Sequence, residues 1–216
     1  MIKMTENHRS EHARTNKQKL LGRLINTPRF LSYDVDGRGI EVKPGRYSPI
    51  YINMKSLWCY PLVLRSVTSQ IKEMCLGCDH IIGVETGGSP YASLIARDLN
   101  IPLILLRKEA KGSLGYLAGY ARKQSGKFAI VDDVLATGNS IKEAVDSIRN
   151  DYRKIKLVSV LSYGMDQMIA EKYNIEVVSL YQIEDVLSAL NPDLSELLTP
   201  HIRTFQDNLA SILRGS

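Results

Sequence analysis

Hydrophobic positions follow two regimes along this chain: an irregular N-terminal quarter, then a remainder in which apolar runs and amphipathic stretches alternate. Residues 1–16 mix His, Arg, Glu, Asn and Thr without periodicity and read as a loose arm. A helical rhythm follows over 17–26, carried by Leu20, Leu21, Leu24 and Ile25. Gly37, Gly39, Pro44, Gly45 and Pro49 then punctuate short extended pieces. Among these, residues 48–53 alternate in strand fashion, which predicts a hairpin region.

From Trp58 the pattern predicts helices over 58–75, 91–99, 141–149 and 167–173, with strands over 80–84, 103–106, 128–131, 157–161 and 176–180. A polar, Gly-rich loop occupies 107–126, and a last helix is expected over 193–213. Strands alternating with helices of ordinary length form βαβ units, so the expected fold is α/β with a parallel sheet covered by helices on both faces. Residues 1–216 read as one domain, divided into the arm, a helix and small N-terminal hood over about 17–57, an α/β core over about 58–190, and the C-terminal helix.

Composition alters this picture in two respects. At 216 residues and 44% hydrophobic content the chain fills one core, and its net charge of +5 favours anionic partners. The 28 basic and 23 acidic residues are interspersed, so no sustained stripe for nucleic acid forms, and anionic metabolites fit the charge as well. Three cysteines are too few for a disulfide framework. Cys75, Cys78 and nearby His80 would need Cys59 to complete a zinc site, with no second CxxC in the chain, so buried or incidental thiols are expected instead. With no apolar signal core and no apolar run of about 18 residues, the expectation is a cytoplasmic protein without membrane contact.

Candidate chemistry concentrates in FAIVDDVLATGNS, residues 128–140. Ligands of open parallel sheets sit beyond the carboxyl ends of the strands, where Asp132 and Asp133 fall. Ala136, Thr137, Gly138, Asn139 and Ser140 follow, able to fold backbone N–H groups and two hydroxyls around an anion. Carboxylates accept hydrogen bonds from vicinal hydroxyls, so acids beside an anion cup suit a sugar phosphate. Each piece taken alone also reads as an ordinary strand end and helix cap.

The thirteen residues together closely resemble the phosphoribosyl diphosphate signature of type I phosphoribosyltransferases. VKPGRYSPIYINMKSL (42–57) resembles the hood segment of orotate phosphoribosyltransferases, LLRKEAK (105–111) the start of their mobile catalytic loop, and GVETGGSPYASLIA (83–96) stands in the pyrophosphate-loop position. This resemblance, over about residues 30–190, implies a type I phosphoribosyltransferase core acting on phosphoribosyl diphosphate and orotate. Asp132 and Asp133 would then bind the ribose hydroxyls, with Asp133 stabilising charge on the ribosyl ring, and residues 136–140 would bind the 5′-phosphate. Arg107, Lys108, Lys111, Thr86 and Gly87 would meet the diphosphate, with Lys111 catalytic, and Lys43, Arg46 and Tyr51 would meet the base. Magnesium, carried mainly on the substrate with Asp132 and Asp133 as candidate protein ligands, and a homodimer sharing loop 107–119 across subunits are also implied.

Three departures accompany the match. Gly112-Ser113-Leu114 replaces an acid, a His or Tyr and a Gly, Gly164 stands where many members carry an Arg for the orotate carboxylate, and Thr86-Gly87 replaces Tyr-Lys. Two alternatives therefore stay open: transfer to another base, and a non-catalytic sensor of phosphoribosyl diphosphate that regulates a partner.

Overall fold

The computed structural model describes residues 6–36, 38–43, 45–110, 115–119, 126–148 and 153–215. Its first element, α1 (Glu6–Ile25), begins well before the expected start at Lys17, so residues 6–16 of the arm are helical and residues 1–5 lie outside the described residues. Periodicity reads burial, and burial begins late in this helix: Leu20, Leu21 and Leu24 are buried, whereas Arg14, Thr15 and Asn16 are exposed.

The hood follows as β1 (Leu31–Tyr33), β2 (Ile40–Lys43), β3 (Arg46–Ser48) and β4 (Ile50–Ile52), paired antiparallel as β1–β4 and β2–β3. The strand expected over 48–53 is split between the two ribbons at Pro49. Proline has no N–H to extend a ladder, and the corner it makes is fixed by Asp34 N–H donating to the Pro49 carbonyl at 2.9 Å and Ser48 Oγ donating to the Ile50 carbonyl at 2.6 Å. In the β2–β3 turn, Gly45 adopts φ +71° and donates its N–H to the Glu41 carboxylate at 2.9 Å.

A 3-10 turn over Met54–Cys59 leads into α2 (Pro61–Met74), with proline in the first helical position, where a missing N–H costs nothing. The core continues with β5 (His80–Val84), α3 (Gly88–Leu99), β6 (Leu103–Leu106), β7 (Leu117–Ala118) and β8 (Gly126–Leu135). After a 3-10 turn at Asn139–Ile141 come α4 (Lys142–Ile148), β9 (Arg153–Ser162), α5 (Asp166–Tyr173), β10 (Glu176–Gln182), α6 (Ile183–Ala189) and α7 (Pro192–Gly215). Strands β10-β9-β8-β5-β6-β7 form one sheet in that order, parallel except for the edge strand β7.

Every residue of β5 is buried, as expected for a strand covered on both faces. From β5 the chain proceeds by α3 to β6 on one side, and from β8 by α4 to β9 on the other. The order thus reverses between β5 and β8, and a crevice opens there beyond their carboxyl ends.

Further departures from the expected elements include β7, which forms inside the stretch read as the loop 107–126, and two more that bear on the site and its surroundings. β8 continues past Val131 to Leu135, so the acid pair lies inside a strand, with Asp132 opposite Ser159 and Leu135 opposite Ser162 of β9. The short helix α6 has no signal in the apolar pattern; it is started by a capping box in which the Gln182 N–H donates to Asp185 Oδ2 at 2.9 Å.

Three buried tyrosines tie the N-terminal segment to this core. Tyr91 OH donates to the Met54 carbonyl at 3.2 Å, Tyr163 OH to the Ile50 carbonyl at 2.9 Å, and Tyr181 OH to the Lys17 carbonyl at 2.8 Å. Burial pushes all three phenols up, that of Tyr163 to about 12. They therefore stay protonated donors at any physiological pH. Among the described residues no helix is long and apolar enough to cross a membrane.

Candidate active site

A cleft of about 330 Å³ lies at the crevice between β5 and β8. Its floor is the end of β8. Asp132 is 6% exposed, and its carboxyl accepts a hydrogen bond from its neighbour's N–H at 2.9 Å and from Ser140 Oγ at 3.3 Å. Burial, and then the adjacent Asp133 charge, hold the Asp132 carboxyl well above the ordinary carboxylate range. Asp133 is more open, and its Oδ1 accepts the Val134 N–H at 2.9 Å. Two acids in one strand thus present one shielded and one accessible carboxyl.

Ala136 to Ser140 all line the same cleft. Gly138 takes φ +65° and is followed directly by the tight turn at Asn139–Ile141, a left-handed residue entering a turn that gathers successive N–H groups around an anion. Ile169 of α5 packs behind the loop, its side chain 3.3 Å from where a β-carbon on Gly138 would stand. Across the cleft, the turn after β5 brings Glu85, Thr86 and Gly87 to the acids. Neither Gly87 nor Gly88 can be replaced without collision: a β-carbon on Gly87 would overlap the Asp133 carboxylate, and one on Gly88 the Val131 carbonyl oxygen.

The hood closes one side with Val42, Arg46, Tyr51, Ile52 and Lys55, while Tyr163 and Phe205 close another. Tyr163 follows β9, and its N–H donates to the Leu135 carbonyl at 2.9 Å, joining it to the carboxylate strand. Next to it, Gly164 adopts φ +84°, and a β-carbon there would lie 2.8 Å from Gln206 Nε2. That nitrogen donates to the Tyr163 carbonyl at 3.0 Å and to Glu184 Oε1 at 2.7 Å. The left-handed backbone at 164 therefore disfavours any side chain there, a cation included.

The residues singled out in the sequence are distributed as follows. Thr86, Gly87, Lys108, Asp132, Asp133, residues 136–140, Arg46 and Tyr51 all line the one cleft. Arg107 does not; its N–H donates to the Tyr116 carbonyl at 2.8 Å, and its Nη1 is buried without a hydrogen-bond partner among the described residues. Lys111 and the side chain of Lys43 lie outside the described residues. Lys55, Tyr163 and Phe205 were not anticipated as lining residues. Lys55 lies inside the hood segment 42–57 and Tyr163 next to Gly164, whereas Phe205 reads only as one more apolar position of a terminal helix. Cys75 is buried, its thiol pushed up to about 12 by burial, and Cys59 is exposed.

A parallel sheet with reversed strand order, an acid pair and an anion loop at its switch point define a nucleotide- or sugar-phosphate-handling α/β protein. The phosphoribosyl transferase domain matches residues 65–188, and the chain belongs to that family. The orotate phosphoribosyltransferase of Pyrobaculum islandicum is 34% identical over 176 residues, spanning 78% of this chain and 91% of its own. Two solved structures share the fold. That of orotate phosphoribosyltransferase from Aeropyrum pernix has a TM-score of 0.65 at 23% identity, covering 78% of this chain and 96% of its own. That of UMP synthase from Leishmania donovani has a TM-score of 0.72 at 21% identity, covering 95% of this chain and 48% of its own.

Proposed function

We propose that this cleft transfers the phosphoribosyl group of 5-phosphoribosyl 1-diphosphate to N1 of orotate, giving orotidine 5′-monophosphate and pyrophosphate. The observation that carries the reading is the convergence, in one cleft, of the acid pair, the anion loop and the aromatic and cationic face of the hood. Departure of pyrophosphate builds positive charge on the ribose ring, which a fixed carboxylate at Asp133 stabilises. The anion loop holds the 5′-phosphate, Thr86 and Gly87 approach the diphosphate, and Tyr51 offers a flat face to the base. Lys108, and Lys111 further along the same loop, meet charge developing on the leaving group.

Magnesium is the proposed cofactor. Among the described residues no group of three acidic, His or Cys side chains gathers to hold a metal. The oxygen-only pair of Asp132 and Asp133 suits a hard cation that takes most of its ligands from the substrate's diphosphate. Held there, it would supply positive charge against the departing pyrophosphate. The proposal includes a cytoplasmic homodimer in which loop 107–119 serves the neighbouring subunit, a state that light scattering reads directly.

Transfer to a different base is favoured by one observation, the lack of a cation at Gly164, where the backbone is left-handed. Loss of orotate absorbance with phosphoribosyl diphosphate and magnesium, run beside uracil, adenine, hypoxanthine and nicotinate, decides between them. Orotate-specific turnover is the expected result. Turnover confined to another ring replaces the acceptor, and binding of the sugar diphosphate with no turnover of any base makes the protein a sensor.

A further inference from the structure

Phe205 belongs to the C-terminal helix, far in sequence from every recognised motif, yet it lines the cleft while being only 5% exposed. It also lines a second space. A groove of about 460 Å³ runs between α7 and the β2–β3 ribbon, bordered by Arg46, Phe205 and Ile212 among others. Phe205 and Arg46 border both volumes, so these two residues lie between the cleft and the groove behind it.

The chemistry of the cleft sorts into two kinds. Carboxylates, hydroxyls and the anion loop suit the sugar phosphate, and the remaining flat or apolar surface, chiefly Tyr51, Ile52, Tyr163 and Phe205, suits a planar ring. Tyr163 is immobilised at both ends, by its N–H on Leu135 and its OH on Ile50. Phe205 packs against it edge to face, with centroids 5.2 Å apart and planes at 72°. Gly164 offers no side chain, so beside Tyr163 the cleft is lined from α7, by Phe205.

We propose that Phe205, braced by Tyr163, is the wall of the base subsite that limits the size of the ring accepted. The proposal rests on the phosphoribosyl-transfer reading above and adds to it a specificity-determining residue on a helix outside the matched domain. Removing the Phe205 ring opens the cleft into the groove, so a base carrying an extra substituent gains room while an unsubstituted base loses a contact face.

The test compares wild type with Phe205→Ala, Phe205→Leu and Ile212→Ala, the last altering the groove but not the cleft. Orotate and a 5-alkyl orotate are the acceptors, and each KM is measured separately. In Phe205→Ala we expect KM for orotate to rise about 10-fold while KM for phosphoribosyl diphosphate stays within about 2-fold, and relative kcat/KM for the bulky base to rise at least about 10-fold. Phe205→Leu should lie between, and Ile212→Ala should match wild type. Calorimetric binding of phosphoribosyl diphosphate shows that each variant is folded, and loss of that binding in Phe205→Ala leaves the Leu variant to decide by the same two ratios. Active wild type with unchanged base KM and size selection in the Phe205 variants overturns the wall alone, as does an equal rise in both KM values. Wild type that turns over no base overturns the transfer reading and the wall together.

Discussion

Burying the Asp132 carboxyl beside Asp133 makes the folded, ligand-free protein favour its protonated form. Below the unfolded carboxylate value of about 3.9 both states hold the proton. Above it only the folded state holds it, until the pH reaches the raised folded value, so stability falls as pH rises through that window. Asp132→Asn should remove this penalty: its Tm should match wild type near pH 3.5 and exceed it increasingly toward pH 7, while turnover drops. A differential scanning series over pH checks this, and a constant Tm difference would disprove the linkage. Asp133→Asn should reduce turnover about 100-fold with modest change in sugar-diphosphate binding, because an amide keeps the shape but not the charge. Both acids stood out in the sequence as candidates, but their inequality did not. It arises from strand β8 running on to Leu135, and two consecutive acids read as the end of a strand rather than its continuation.

At the scale of elements, the parallel strands were legible because they are continuous apolar runs, and the central β5 occupies the predicted residues 80–84. What escaped was set by polar chemistry that periodicity does not register: the proline corner at 49, the capping box of α6 and the polar first turns of α1. The packing of α7 on the strand ends is also a tertiary fact, and Gly164 marks it. Gly164→Ala forces a β-carbon onto a residue at φ +84° and against Gln206, costing about 1–2 kcal/mol. For a chain of this size the expected loss in Tm is about 2–8 °C. Gln206→Ala should recover only part of it, since the steric clash disappears and the backbone strain persists. Thermal unfolding of the two single variants and the double variant measures both contributions.

Across the whole molecule, the N-terminal segment is tied to the core by the three tyrosine hydroxyls, whose buried phenols titrate above their unfolded value of about 10. Above that pH the folded state retains protons that the unfolded chain has lost, so stability falls as pH rises further. Each Tyr→Phe substitution should lower stability at pH 7 by about 1 kcal/mol, the net worth of one hydrogen bond, the Ile50 carbonyl still keeping the Ser48 hydroxyl as donor, and should reduce the alkaline slope by about one proton. Urea midpoints between pH 8 and 11 give both quantities. A slope unchanged by all three substitutions would remove the phenols as its cause.

The hydroxyls of Tyr91, Tyr163 and Tyr181 all grip main-chain carbonyls, at Met54, Ile50 and Lys17. A carbonyl is the same whatever residue bears it. The grip is therefore indifferent to the identity of the amino acids it holds, and side chains facing the cleft, such as Tyr51 and Lys55, are free to be exchanged without loosening the segment that carries them. On the hood, attachment and selectivity are written in separate alphabets, one in carbonyls and one in side chains, so a new acceptor preference can be drafted there while its anchorage stays as it is; Tyr163, on the core side, is spelled in both.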